Sequence, residues 1–147
     1  MTQLGSRVAV ASDHAGFHLK SSCVTWLKES GFSVNDLGPS QPERCDYPDF
    51  AHSLCQKITN GEVDWGVLIC GTGIGMSMAA NKHPGIRAAL ITDPFCAAAT
   101  REHNDANVLC MGERVVGSAL AKSILDTFSQ SRFEGGRHQT RINKMDI

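Results

Sequence analysis

Short apolar runs alternate along the chain with longer stretches in which apolar residues recur every three or four positions. Arg7–Ser12 (RVAVAS), Phe32–Asp36, Trp65–Cys70 (WGVLIC), Arg87–Ile91 and Asn107–Met111 have the length and content of buried strands. Between them the spacing predicts helices. Ala15–Ser30 places Leu19, Cys23, Trp26 and Leu27 on one stripe, with Gly31 suited to the position just past a helix end. Asp49–Thr59 repeats Phe50, Leu54, Cys55 and Ile58 at helical spacing and stops at Asn60-Gly61. Gly73–Asn81 starts a helix at a glycine-rich turn, and Pro94–His103 is alanine-rich with Pro94 at a first-turn position. Val116–Phe128 turns Leu120, Ile124, Leu125 and Phe128 inward. Gly38–Pro48 is expected to be a loop, and the basic stretch Arg132–Ile147 a C-terminal helix.

Strand–helix alternation predicts an α/β domain whose parallel sheet is covered on both faces. Five strands suggest a single-domain, doubly wound, Rossmann-like or flavodoxin-like sheet flanked by helices, in the order 2-1-3-4-5. The 147 residues are read as one domain, 1–147, since a domain runs to about 150 residues and no repeat or linker divides the chain. In this order the ligand crevice falls between strands 1 and 3, beyond their carboxyl ends. Strand 1 ends in Ser12-Asp13-His14-Ala15-Gly16 and strand 3 in Cys70-Gly71-Thr72-Gly73-Ile74-Gly75, so both unusual segments are expected to face one crevice.

Composition narrows the function classes. With 41% hydrophobic and 20% charged residues the chain is globular rather than disordered. Its net charge of -1 supplies no field that would draw it onto nucleic acid or an acidic membrane. No apolar run is long enough to span a bilayer, and MTQLGSR lacks the apolar region of an export signal. The six cysteines form no CxxC pair; they are expected to be free core thiols in a reducing cytoplasm.

Cys70 stands out by position. A thiol beside a helix N-terminus ionises more readily and can serve as base or nucleophile; the alternative is a buried strand-end cysteine. The glycine segment is GxGxG after the third strand, without the GK[ST] of a phosphate loop, so dinucleotide binding is disfavoured. Its N–H groups suit a phosphate or an oxyanion formed during a reaction, or the glycines simply let helix and strand pack closely. Asp13-His14 can orient a hydroxyl or carry a proton, or Asp13 can cap the following helix. His103-Asn104-Asp105 precedes strand 5, on the edge of the sheet opposite the crevice; a catalytic His103 would most simply reach a neighbouring subunit's site. Arg137 and Arg141, four apart, could share a phosphate, or belong to a solvated basic face. His18, His52 and His83 are read as structural or surface residues. No HxH, HExxH or His-Cys cluster predicts a metal site.

Asp13-His14-Ala15-Gly16, Asp46-Tyr47-Pro48, Cys70–Gly75, Ala79–Lys82, Gly85–Ala88, His103–Asn107 and Gly135–His138 occur in that order. The set resembles ribose-5-phosphate isomerase type B, within a larger group that includes enzymes acting on galactose 6-phosphate, from about Val8 to Arg141. The resemblance implies a cytosolic, cofactor-free and metal-free aldose–ketose isomerase that interconverts ribose 5-phosphate and ribulose 5-phosphate in the non-oxidative pentose phosphate pathway. It implies a homodimer, sometimes a tetramer, with each site built from both subunits. By position it makes Cys70 the base and gives His103 the ring opening. Asp13 and His14 would contact the sugar, Tyr47 would line the pocket, and Thr72 with the amides of Gly71, Gly73, Ile74 and Gly75 would hold the enediolate oxygen. Asn104 would bind a hydroxyl, Arg114 would touch the substrate, and Arg137 and Arg141, with His14, would hold the phosphate. A subgroup that replaces the cysteine by a glutamate would carry it at Met76; Cys70 and Met76 place this chain with the cysteine type. Isomerisation of a six-carbon sugar phosphate, nucleotide or flavin binding, and cysteine redox sensing are the competing readings.

Overall fold

Along three strands, neighbouring residues point to opposite faces of one sheet, and the chain packs each face differently. Val8 and Val10, Val67 and Ile69, Leu109 and Met111 join one core cluster; Ala9 and Ala11, Leu68 and Cys70, Val108 and Cys110 join the other. This alternation is the two-residue period of a strand. In the first and last of these strands the smaller or more compact side chains meet one pair of helices, and the larger ones meet the other layer.

The computed structural model describes residues 1–146. Its strands are β1 (Arg7–Ser12), β2 (Ser33–Asp36), β3 (Trp65–Cys70), β4 (Ala88–Leu90) and β5 (Val108–Gly112). Its helices are α1 (Phe17–Glu29), α2 (Tyr47–Thr59), α3 (Ile74–Ala80), α4 (Pro94–Asn104), α5 (Ser118–Gln130) and α6 (Arg137–Ile142), with a 3-10 turn at His14–Gly16 before α1. All strand pairs are parallel. The larger cluster takes Leu19, Cys23 and Leu27 from α1, Ala97 from α4 and Ile124, Leu125 and Phe128 from α5; the smaller takes Ala51, Leu54 and Cys55 from α2 and Met76 and Ala80 from α3. Each large side chain buried this way stabilises the fold by about 1.5–3 kcal/mol.

The expected α/β architecture is observed, but the strand order is β2-β1-β3-β5-β4 rather than 2-1-3-4-5. Burial explains the exchange. All five residues of β5 are buried, whereas β4 has three residues, none fully buried. The strand that is apolar on both faces takes the interior, and the short one takes the edge. The crevice between β1 and β3 is unaffected.

Several boundaries move for local reasons. Pro48, read as the end of a loop, sits in the first turn of α2, where its missing N–H costs nothing. Lys20 in α1 is only 3% exposed because its ammonium bridges both carboxylate oxygens of Asp36, at 2.9 and 3.0 Å. All six cysteines are free, but Cys96 is exposed and Cys45 half-buried, so the expected core role fails for these two. No helix among the described residues is long and apolar enough to cross a membrane.

Candidate active site

At the end of β1 the chain turns against β3. The Asp13 N–H donates to the Ile69 carbonyl at 3.2 Å. The Asp13 carboxylate accepts from the N–H groups of Ala15, at 2.9 Å, and Gly16, at 3.2 Å. Asp13 therefore caps the turn into α1, whatever else it does. Gly16 lies on β3 so closely that a Cβ there would stand 2.6 Å from the Ile69 carbonyl oxygen. The Cys45 N–H donates to His14 Nδ1 at 3.3 Å. A neutral His14 consequently carries its proton on Nε2.

At the end of β3, Cys70 is 5% exposed, and its Sγ accepts the Gly73 N–H at 3.1 Å. Gly73 has φ +79°, and a Cβ on it would stand 2.6 Å from Leu90 and 3.0 Å from the Met111 carbonyl oxygen. Only glycine fits a left-handed residue pressed against the neighbouring strand. The Ile74 N–H donates to Thr72 Oγ1 at 3.2 Å.

The segment after β5 extends the same ladder. The Glu113 N–H donates to the Cys70 carbonyl at 3.0 Å, and the Arg114 N–H to the Gly71 carbonyl at 3.1 Å. The Arg114 side chain then lies over Gly71; a Cβ on that glycine would be 3.3 Å from Nη1. From α2, the Tyr47 ring packs on Gly75, where a Cβ would come within 2.6 Å of Cζ.

Asp13, His14, Tyr47, Cys70, Gly71, Thr72, Ile74, Gly75 and Arg114 thus line one cleft of about 480 Å³, together with Ala15 and Met78. Gly73 lies beneath it, buried. The cleft combines a sulfur held by a backbone N–H, a guanidinium, an imidazole and a row of loop amides. That set can polarise a carbonyl and move a proton on carbon. Three buried thiols elsewhere are unsuited to this. Burial pushes Cys23 up to about 12 and Cys55 up to about 11, and raises Cys110 well above the ordinary thiol range, with Cys55 and Cys70 nearby adding to it.

Four expected residues are not in this cleft. His103 and Asn104 end α4, at the amino-terminal edge of the sheet, and Arg137 and Arg141 are exposed on α6, which packs on α4. Asn104 lines a separate hollow of about 410 Å³ with Asn81, Arg87 and Asp146. Among the described residues, the one group of three donors close enough for a metal ion is His103, Glu134 and His138, outside the cleft.

Residues 8–145 match the family described as Ribose/Galactose Isomerase. The chain belongs to the ribose/galactose isomerase family. It is similar to Ribose-5-phosphate isomerase B of Escherichia coli (strain K12), with 49% identity over 92% of this chain and 91% of that protein. Among solved structures it is similar to Ribose-5-Phosphate Isomerase B of Clostridium thermocellum, with TM-score 0.93 and 49% identity over 95% of this chain and 94% of that one. The type B ribose 5-phosphate isomerase of Trypanosoma brucei gives TM-score 0.92 and 47% identity, covering 99% and 97% of the two chains.

In this ribose/galactose isomerase family member, sequence reasoning missed three features. Met78 joins the cleft from the exposed side of α3, a turn beyond Ile74. His52 and His83, read as isolated, form a pair with Nδ1 of one 2.7 Å from Nε2 of the other. His138 is buried and stacks on His103. The sequence signal for Met78 was helical spacing; the histidine contacts join distant segments and leave no local pattern.

Proposed function

We propose that this chain is a ribose-5-phosphate isomerase: a cofactor-free aldose–ketose isomerase acting, as a single domain in the cytoplasm, on ribose 5-phosphate and ribulose 5-phosphate. The observation that carries the reading is the Gly73 N–H donated to Cys70 Sγ at 3.1 Å, inside a cleft that also holds Arg114 and His14. The backbone donor fixes the sulfur at the mouth of the glycine loop, where a base would meet the substrate carbon. In the open aldose the thiolate takes the proton from C2. The electron pair moves into the C1 carbonyl and gives an enediolate. A proton passes between O1 and O2, and Cys70 returns its proton to C1, giving the ketose. Such a base contributes about 10²–10⁴-fold.

The loop holds the enediolate oxygen. Since Gly73 donates to sulfur and Ile74 to Thr72, the task falls to the N–H groups of Gly71, Thr72 and Gly75. Asp13 and His14 bind the sugar, Tyr47 closes the pocket, and Arg114 contacts the substrate.

Two copies complete each site. His103 opens the ring, Asn104 binds a hydroxyl, and Arg137 and Arg141 hold the phosphate, all from the partner subunit. Their distance from their own cleft supports this, as do the exposed apolar side chains Ile74 and Met78 beside it. The test is ribose 5-phosphate turnover with EDTA present, for wild type, Cys70→Ala and His103→Ala, alone and mixed after reversible dissociation. Each variant alone is expected to be inactive. A random mixture should recover about a quarter of wild-type activity, because half the dimers then carry one intact site. Folded Cys70→Ala with full turnover refutes the base, and a mixture that stays inactive refutes the shared site.

A further inference from the structure

The segment after α5 folds Glu134 back onto α4. The Glu134 N–H donates to the Glu102 carbonyl at 3.1 Å, and Gly135 and Gly136, with φ of 70° and 56°, turn the chain into α6. Glu134 and His138 are thereby brought face to face, with Oε2 3.3 Å from Nε2. His103, in the last turn of α4, stacks on the His138 ring with centroids 4.4 Å apart and planes at 16°. One donor atom from each of the three lies within 4.8 Å of the others.

The His138 side chain is 6% exposed, and its Nε2 makes no hydrogen bond among the described residues. A buried ring nitrogen of this kind needs a partner. The Glu134 oxygen is near it but misaligned for a hydrogen bond. Two donors bound tetrahedrally to one zinc ion at about 2.0–2.1 Å stand about 3.3 Å apart, which is the separation found. Imidazole and carboxylate together suit zinc and its neighbours rather than magnesium or calcium.

We propose that His103, Glu134 and His138 form a site for a divalent transition metal of the zinc class, with a fourth position open to solvent. The exposed His103 turns out of its stack to aim a ring nitrogen at the ion. No step of isomerisation uses the metal. Resting on the function proposed above, its consequence is inhibition: an occupied site withdraws His103 from ring opening.

The experiment titrates metal-free wild type with Zn²⁺ by calorimetry and with Co²⁺ by absorption, then follows ribose 5-phosphate turnover against zinc. The expected result is one ion per chain, a four-coordinate cobalt spectrum, and turnover lost with occupancy and restored by EDTA. Glu134→Gln, an exposed change that leaves the fold intact, should weaken zinc at least about tenfold and keep its turnover in zinc. His138→Gln should weaken binding likewise, and Cys70→Ala should not. Zinc affinity unchanged in Glu134→Gln, or lost in Cys70→Ala, overturns the site. Calorimetry and the cobalt spectrum read the metal whether or not ribose 5-phosphate is turned over. A chain inactive on sugar phosphates that binds zinc through Glu134 would keep the site and lose only the substrate reading.

Discussion

Gly73 and Gly85 adopt nearly the same backbone angle, φ +79° and +81°, in opposite surroundings. A Cβ on Gly73 would stand 2.6 Å from Leu90 Cδ1 and 2.9 Å from the Met111 carbonyl carbon, whereas one on Gly85 would meet nothing within 4 Å. Alanine at either position pays about 1–2 kcal/mol for the left-handed conformation, offset by about 0.4–1 kcal/mol from a less flexible unfolded chain. Gly85→Ala should therefore lose about 0–1.6 kcal/mol. Gly73→Ala adds the crowding, typically about 1–3 kcal/mol more, and the obstacle is partly backbone, which cannot swing away. At roughly 2–4 °C per kcal/mol for a chain of this size, Gly85→Ala should lower Tm by no more than about 6 °C, and Gly73→Ala by about 2–12 °C more. Urea unfolding with equal m-values for both variants checks the free energies. Turnover of ribose 5-phosphate adds a second reading: Gly73→Ala shifts the N–H that holds Cys70 Sγ and should lose most of its activity, while Gly85→Ala should keep it. Equal destabilisation by the two alanines, or full activity in Gly73→Ala, would refute the reasoning.

Arg101 is 1% exposed, donates to Asp105 Oδ1 at 2.9 Å and the Ala106 carbonyl at 2.6 Å, and lies over the Phe128 ring. Burial lowers its pKa while Asp105 holds it up. Asp105→Asn keeps a residue tolerant of φ 47° but removes the charge; it should cost about 1.5–3 kcal/mol in urea unfolding, and an unchanged midpoint would sink the account. His83 has its pKa lowered below 6.5, first by burial and then by His52. The unfolded chain thus binds the proton more readily, so stability is full above about pH 6.5 and falls as the pH drops towards the lower folded value. Melting temperatures from pH 8 to pH 5 should show this loss in wild type and a smaller one in His83→Gln; parallel curves would refute it.

β1 and β3 were legible to the residue because an apolar run bounded by polar punctuation carries its own limits. The edge was less so: β4 has only three residues, and its place beside β5 depends on which strand buries better, a comparison no local window makes. The cleft was legible at Asp13-His14 and Cys70–Gly75, because strand ends at a topological switch converge by rule. Tyr47 and Arg114 came from resemblance alone, and their packing on Gly75 and Gly71 explains why glycine stands at those positions. The contacts of Glu134, His138 and His103, and of His52 with His83, depend on how helices pack, which periodicity does not report.

The joining of β3 to the segment after β5 has a mechanical consequence. Cys70 and Gly71 offer their carbonyls to Glu113 and Arg114, so sulfur and guanidinium ride on a single stiff wall. The backbone segments that carry them cannot be moved apart or together without unzipping the centre of the sheet. The opposite wall is built from a helix start at Tyr47 and a loop N–H on His14, anchored only at the margin. Adjustment to a longer or shorter sugar therefore falls to that second wall, and variants selected for altered substrate length should accumulate there rather than around the sulfur.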